Sequence, residues 1–280
     1  MMQWAHRALF LARSLQRRNI RGSTRAIILL QRSGLLDQPA ILRLSPDVQM
    51  EIPLTLYAWD AVDVATYEAG YGAKYAAEVR AMGGPVTHVD VGAHIGVFTL
   101  NLLVKASNIV EVVAVEPNPQ LFPYLERNLQ RLPTPSQPLQ IALSDYSGYA
   151  RLVTPECADE TGNYIEPTGQ GIAVVTLDSL GIQARNLAIK IDVEGEELAV
   201  IRGAEQTIRR AAQVLVGFEC HPVVIARTGR DSVECMRLLA SYRNFHFLEP
   251  DTGQTLHTGT PVIGPQLAPN RVYNILGRSY

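Results

Sequence analysis

Apolar residues recur along this chain with two different periods. From about residue 86 onward, short runs rich in Val and Ile alternate with segments whose apolar positions step by three and four. That alternation is the mark of strand–helix–strand units wound into a parallel sheet. The runs predict seven strands, at 86–91, 110–116, 139–144, 187–192, 214–219, 245–248 and 272–276. Several are almost continuously apolar, as strands covered on both faces should be. Helices are predicted at 97–104, 121–132, 196–211 and 232–242. The fold class is therefore α/β, a doubly wound, mostly parallel seven-stranded sheet with helices on both faces. Two stretches rich in Gly, Pro and turn formers, 146–171 and 258–270, read as irregular. Residues 1–85 are mostly helical by pattern, with a short hairpin around 48–59, and form a helical extension or lid ahead of a main domain at 86–280.

The N-terminus changes the picture locally. Seven arginines and no acid precede Asp37, and Trp4, Ala8, Leu11 and Leu15 fall on one side of a helix. Such a basic amphipathic helix packs its stripe on the core or lies on an anionic membrane surface as a peripheral contact. The apolar runs are too short for a spanning helix. A formal net charge of -2 gives no reason to expect nucleic acid as a partner, which needs a concentrated basic face. Cys157, Cys220 and Cys235 are odd in number and make no close pair. Neither a disulfide framework nor a zinc site is suggested, and a cytoplasmic setting fits. Self-association into a homo-oligomer stays open.

Chemistry-bearing residues gather where strands end. Asp90-Val91-Gly92-Ala93-His94-Ile95-Gly96 follows a strand and opens onto a helix. Glycines at such a turn let backbone and helix-end amides approach a ligand. A dinucleotide fingerprint needs a second glycine where His94 stands, to leave room for a pyrophosphate. An imidazole would crowd phosphates, whereas S-adenosylmethionine has none, so the turn suits that methyl donor better than NAD. Asp90 accepts hydrogen bonds from a ligand ammonium or braces the turn. Glu116 closes the next strand, where a doubly wound fold places the acid that grips two ribose hydroxyls. Ser144 and Asp145 follow the third strand; Asp145 contacts an adenine amino group or caps a turn before Gly148.

The line from Leu187 to Glu197 places Lys190 and Asp192 on one face of an otherwise apolar strand, a costly burial unless the charges find partners. They pair with each other or with Glu219. Asp192 and Glu194 then lie at the strand's carboxyl end, where open α/β sheets bind ligands. Glu219 and His221 end the next strand on the same rim. Transfer of an activated methyl to oxygen needs positioning and a proton acceptor. The candidates are Asp192, Glu194, Glu219 and His221, with Lys190 tuning the charge. Glu196 and Glu197 read as acids satisfying a helix start. A divalent metal on Asp192, Glu219 and His221 is chemically allowed but not favoured, since rim acids often only hydrogen-bond a substrate.

Taken in order, HVDVGAHIGVFTLNLL, VVAVEPNPQLFPYLERNL, IALSDYSG, VVTLDSL, IKIDVEGEELAVIRGA and VLVGFECHP resemble the FkbM family of methyltransferases over roughly residues 86–225. The resemblance implies a Rossmann-like S-adenosylmethionine domain and O-methylation of a small-molecule or glycan acceptor, such as a sugar, a lipid-linked glycan or a polyketide-type metabolite. It carries the cofactor role onto Asp90, Gly92, Gly96, Glu116 and Asp145, and supports Asp192, Glu194 and Glu219 as part of the active centre. His94 departs from the Asn that the family commonly has. The competing readings are an NAD-dependent oxidoreductase on the same sheet and a non-catalytic membrane-associated module.

Overall fold

A computed structural model of the chain describes residues 20–34, 36, 39–54, 69–153, 163–269 and 271–280, together with residues 8, 9, 11, 12 and 15. Cys157, Trp4 and most of the predicted basic helix fall outside them. Within them, helix α1 spans Ser23–Arg32 and an antiparallel hairpin joins β1 (Pro39–Arg43) to β2 (Gln49–Pro53). The hairpin is there, but it starts ahead of the predicted 48–59. Helix α2 follows at Ala69–Ala81. Its Tyr71, Tyr75, Ala76 and Val79 share one buried cluster with Phe98, Val112 and Leu215 of the main sheet and its covering helix, so this part of the N-terminal region is built into the core.

The main sheet is formed by β3 (Val86–Val91), β4 (Ile109–Val115), β5 (Ser136–Leu139), β10 (Asn186–Ile191), β11 (Gln213–Cys220), β12 (His246–Leu248), β13 (Thr255–Leu256) and β14 (Tyr273–Ser279). Its order is β13-β12-β14-β11-β10-β3-β4-β5. Five strands, from β11 to β5, run parallel, and β14 lies antiparallel between β11 and β12. An eighth strand, β13, hairpins onto β12 beyond the predicted seven. All residues of β3 and β10 are buried, which is why their sequences are nearly unbroken apolar runs. The chain enters at β3, builds outward through β4 and β5, then returns to lay β10 on the other side. The switch point therefore falls between β3 and β10, where doubly wound sheets open a ligand crevice.

Three predicted elements differ from their expected form. The strand expected at 139–144 breaks in two, and its second half, β6 (Ala142–Leu143), leaves the main sheet. With β7 (Gly148–Val153), β8 (Tyr164–Thr168) and β9 (Ile172–Val175), β6 makes a second sheet of order β6-β9-β7-β8, whose β7 and β8 lie inside the stretch 146–171 read as irregular. The helix expected at 196–211 is two helices, α5 (Glu197–Arg202) and α6 (Glu205–Arg210). At the break, a Cβ on Gly203 would come within 2.1 Å of the Ser144 carbonyl oxygen, and the Asp178 carboxylate accepts the Gln206 and Thr207 amides at 3.0 and 2.8 Å. The new helix start thus takes its cap from a distant turn.

Helices α3 (Val97–Lys105), α4 (Phe122–Gln130) and α8 (Val233–Tyr242) fall where the periodicity puts them. The hairpin is riveted to α4 by Asn128, whose amide accepts the Glu51 N–H at 2.6 Å and donates to the carbonyls of Glu51 at 3.0 Å and Ile95 at 2.8 Å. Glu51 is also clamped by Arg127 and Arg131. At the N-terminus, Leu9 and Ala12 face a small cluster with Ile27 and Leu54, while Leu11 is 60% exposed. The buried stripe is therefore rotated from the one predicted through Leu11. Among the described residues no helix is long and apolar enough to cross a membrane, and Cys220 and Cys235 are free and buried.

Candidate functional site

Parallel register brings four strand ends into one row. Val91 pairs with Ile191 on one side and Val115 on the other, and Ile191 pairs with Phe218. The residues that follow, Gly92, Glu116, Asp192 and Glu219, therefore emerge side by side at the sheet's carboxyl edge. They border a cleft of about 530 Å³, within the usual range for a small-molecule site.

At one end of the cleft lies the glycine turn. Gly92 has φ +79°, and a Cβ there would sit 1.9 Å from the Asp192 carbonyl oxygen, so no other residue fits. The Gly92 and Ala93 amides both donate to the Val115 carbonyl at 2.9 Å, tying the turn to the end of β4. The Glu116 carboxylate then accepts the His94 amide on one oxygen and the Asn118 amide on the other, each at 2.8 Å. Burial pushes its pKa up to about 7, against the pull of those two amides. His94 itself takes φ +52°, a conformation a non-glycine residue adopts only under constraint.

Beneath the turn, Asp90 is fully buried and accepts the Thr99 hydroxyl at 2.6 Å, anchoring the first turn of α3. It does not border the cleft. Lys190, directly across from it in the sheet, places its ammonium 3.7 Å from Asp90 and 2.9 Å from Asp192, and 5.4 Å from the centre of the Phe98 ring. Of the two sequence alternatives for Asp90, bracing is the one its contacts display. Gly96 also stands back from the cleft: with φ +91° it starts α3 and packs toward Leu125.

At the other end, Asp192, Glu194 and Glu219 bring carboxylate oxygens within 4.8 Å of one another. Glu194 has φ +55°, and its carbonyl accepts the Arg227 guanidinium, which in turn lies 4.5 Å over the Tyr164 ring. The Glu197 carboxylate stays below, accepting the Gly195 and Val193 amides at 3.1 and 3.4 Å and so shaping the loop, the structural duty expected of it. His221 borders the cleft and caps helix α7 (Pro222–Thr228), its Nδ1 accepting the Val223 amide at 3.1 Å. Burial and the nearby Arg227 lower its pKa, against the pull of Asp192. The carboxylate trio has the hard oxygen donors a divalent ion prefers, but it recruits Glu194 where the sequence pointed to His221.

Ser144 and Asp145 lie elsewhere. Ser144 is buried, Asp145 sits 3.4 Å from Arg202, and Ala142 and Leu143 border the cleft in their place. The second sheet contributes Asn163, Tyr164 and Ile165, none of which the sequence singled out. Glu196, read as a helix-start acid, also borders the cleft; burial raises its pKa, with Arg230 opposing. The residues fit an adenosyl group carrying a sulfonium: a turn that opens on a glycine without a side chain, a buried carboxylate able to accept hydroxyl hydrogen bonds, and apolar walls from Phe98, Leu121 and Leu143.

The family model described as the methyltransferase FkbM domain matches residues 90–247. The hexuronic acid methyltransferase AglP of Haloferax volcanii is 32% identical over 131 residues, covering 45% of this chain and 53% of that protein. The chain thus spans about half the length of that curated relative. Among solved structures, the methyltransferase FkbM from Methylobacillus flagellatus KT superposes with a TM-score of 0.47 at 18% identity, over 70% of this chain and 44% of that one. M. jannaschii TYW2, solved in complex with AdoMet, gives 0.42 at 11% identity, over 86% and 85%.

Proposed function

This chain belongs to the FkbM methyltransferase family, and from that premise we propose that it is an S-adenosylmethionine-dependent O-methyltransferase acting on a sugar-type hydroxyl, in a glycan or a specialised metabolite. The observation that carries the reading is the buried Glu116 carboxylate at the end of β4, hydrogen-bonded to the glycine turn and opening on the cleft. Glu116 takes the ribose hydroxyls, Gly92 lets the donor lie against the backbone, and Phe98 and Leu143 supply apolar walls. When bound, the donor supplies a methyl on a sulfonium: transfer breaks its carbon–sulfur bond, forms a carbon–oxygen bond, leaves a neutral thioether and frees the hydroxyl proton.

The chain's own part is to hold the acceptor and take that proton. Asp192, Glu194 and Glu219 cluster where it would be released. A glycan acceptor is supported by the sugar-acid substrate in the name of AglP. The nicotinamide alternative would set a pyrophosphate against the turn that His94 fills.

Calorimetry with S-adenosylmethionine and with its demethylated product tests the donor half, and binding to neither would defeat it. The acceptor half is tested with isotope-labelled methyl donor and a panel of hexoses, hexuronic acids and their glycosides, read by mass spectrometry. Label found on carbon or nitrogen, with none on oxygen, would replace the O-methyl reading.

A further inference from the structure

His221 and the three carboxylates border the same cleft, and each is a textual candidate for the proton acceptor; the hydrogen bonding of the ring separates them. The Val223 amide donates to His221 Nδ1 at 3.1 Å, as the side-chain cap of helix α7. A nitrogen that accepts an N–H carries no proton of its own, so the neutral ring must hold its hydrogen on Nε2. Turning the ring over would set a carbon against the Val223 amide and leave that helix-start donor unpaired. In this tautomer the ring's lone pair is spent on the cap, and the other nitrogen is a donor.

We propose that His221 serves the acceptor as a hydrogen-bond donor and positioning group, and that the hydroxyl proton goes to a carboxylate of Asp192, Glu194 or Glu219. To act as base, the ring would have to move its proton to Nδ1, breaking the cap before it could accept at Nε2. The charged surroundings agree. Burial and Arg227 favour the neutral ring, while Asp192 favours the cation. Glu219, two residues earlier on β11, Glu194, on the facing loop, and Asp192 border the cleft with the ring. This assignment rests on the methyl-transfer reading for its acceptor, but the tautomer does not depend on it.

The test has two arms. In the first, the enzyme is labelled with nitrogen-15 histidine, and His221→Asn identifies the His221 signals. Nitrogen chemical shifts near neutral pH should show an unprotonated Nδ1 and a protonated Nε2; a protonated Nδ1 overturns the proposal. The second compares the pH dependence of kcat/KM in the wild type and His221→Asn, since the Asn side chain can still accept the Val223 amide. Loss of one donor to the acceptor should cost roughly tenfold in kcat/KM and leave the midpoint of the acid limb where it was. Disappearance of that limb, or unimpaired turnover, overturns the assignment. If no acceptor is methylated at all, the functional reading fails while the nitrogen shifts still decide the tautomer.

Discussion

Lys190 shares one buried ammonium between Asp90, 3.7 Å away beneath the donor turn, and Asp192, 2.9 Å away at the acceptor end. Both Lys190 and Asp90 are almost wholly shielded from water. Taking such charges out of water is expensive, and removing the cation leaves Asp90 buried with, among the described residues, the Thr99 hydroxyl as its side-chain donor. Lys190→Met is therefore expected to lower unfolding free energy by about 3–5 kcal/mol in urea titrations. Pairing it with Asp90→Asn should recover a good part of that loss, because the two residues act as one unit. Strictly additive losses in the double variant would show that the pair is not coupled.

Glu116 makes donor binding depend on pH. Burial raises its pKa to about 7 from an ordinary value of 4.5, so the empty protein keeps a proton there that the unfolded chain gives up. Its contribution to stability is thus full below about 4.5 and is lost as pH rises through about 7. Two ribose hydroxyls can both donate only to the ionised carboxylate, so binding pulls in the opposite direction. Donor affinity should rise about tenfold between roughly pH 6 and 8 and then level off. Calorimetry across this range should show the slope in the wild type and a flat, much weaker response in Glu116→Gln. An equal slope in both would detach it from Glu116.

The parts of this site that were legible in the sequence are those governed by strand ends. Gly92, Glu116, Asp192 and Glu219 each follow a run of residues buried on both faces, and parallel register alone lines them up. What was not legible depends on contacts across space. Nothing near Gly203 announces that the Ser144 carbonyl will press on it and split a helix, and nothing near Asp145 announces Arg202, 57 residues on. Tyr164 sits among turn formers that read as loop. The Arg151–Glu166 pair, which marks β7 and β8 as partners, joins residues 15 apart across that irregular text.

Asn128 gives a prediction about the hairpin that precedes the domain. Fully buried, it satisfies the Glu51 amide and two carbonyls, one of them at Ile95 inside the glycine turn. Asn128→Ala strands all three groups away from water. The expected loss is about 3 kcal/mol in chemical denaturation, together with weaker donor binding through the loosened Ile95. Stability within a few tenths of a kcal/mol of the wild type would mean that the hairpin is not clamped there.

Arg227 ties the acceptor end together without bordering it. Its guanidinium donates to the Glu194 carbonyl and covers the Tyr164 ring, joining the strained loop after β10 to the second sheet. A residue held at φ +55° relaxes when its restraint goes, and a carboxylate displaced by a fraction of an ångström no longer meets the acceptor. The donor end rests on other side chains, with Glu116 on the far side of the Gly92 turn from the Arg227-bound loop. Arg227→Ala should therefore lower kcat/KM for the acceptor by roughly ten- to a hundredfold. The donor dissociation constant should stay within about twofold, because Arg227 reaches the Glu194 carbonyl and not the Glu116 carboxylate. Arg227→Lys should recover little, since an ammonium lacks the flat fork that stacks on Tyr164 while reaching a carbonyl. Steady-state kinetics with varied acceptor, set beside donor calorimetry, separates the two ends. Equal damage to both would show that Arg227 supports the whole cleft and not the acceptor loop alone.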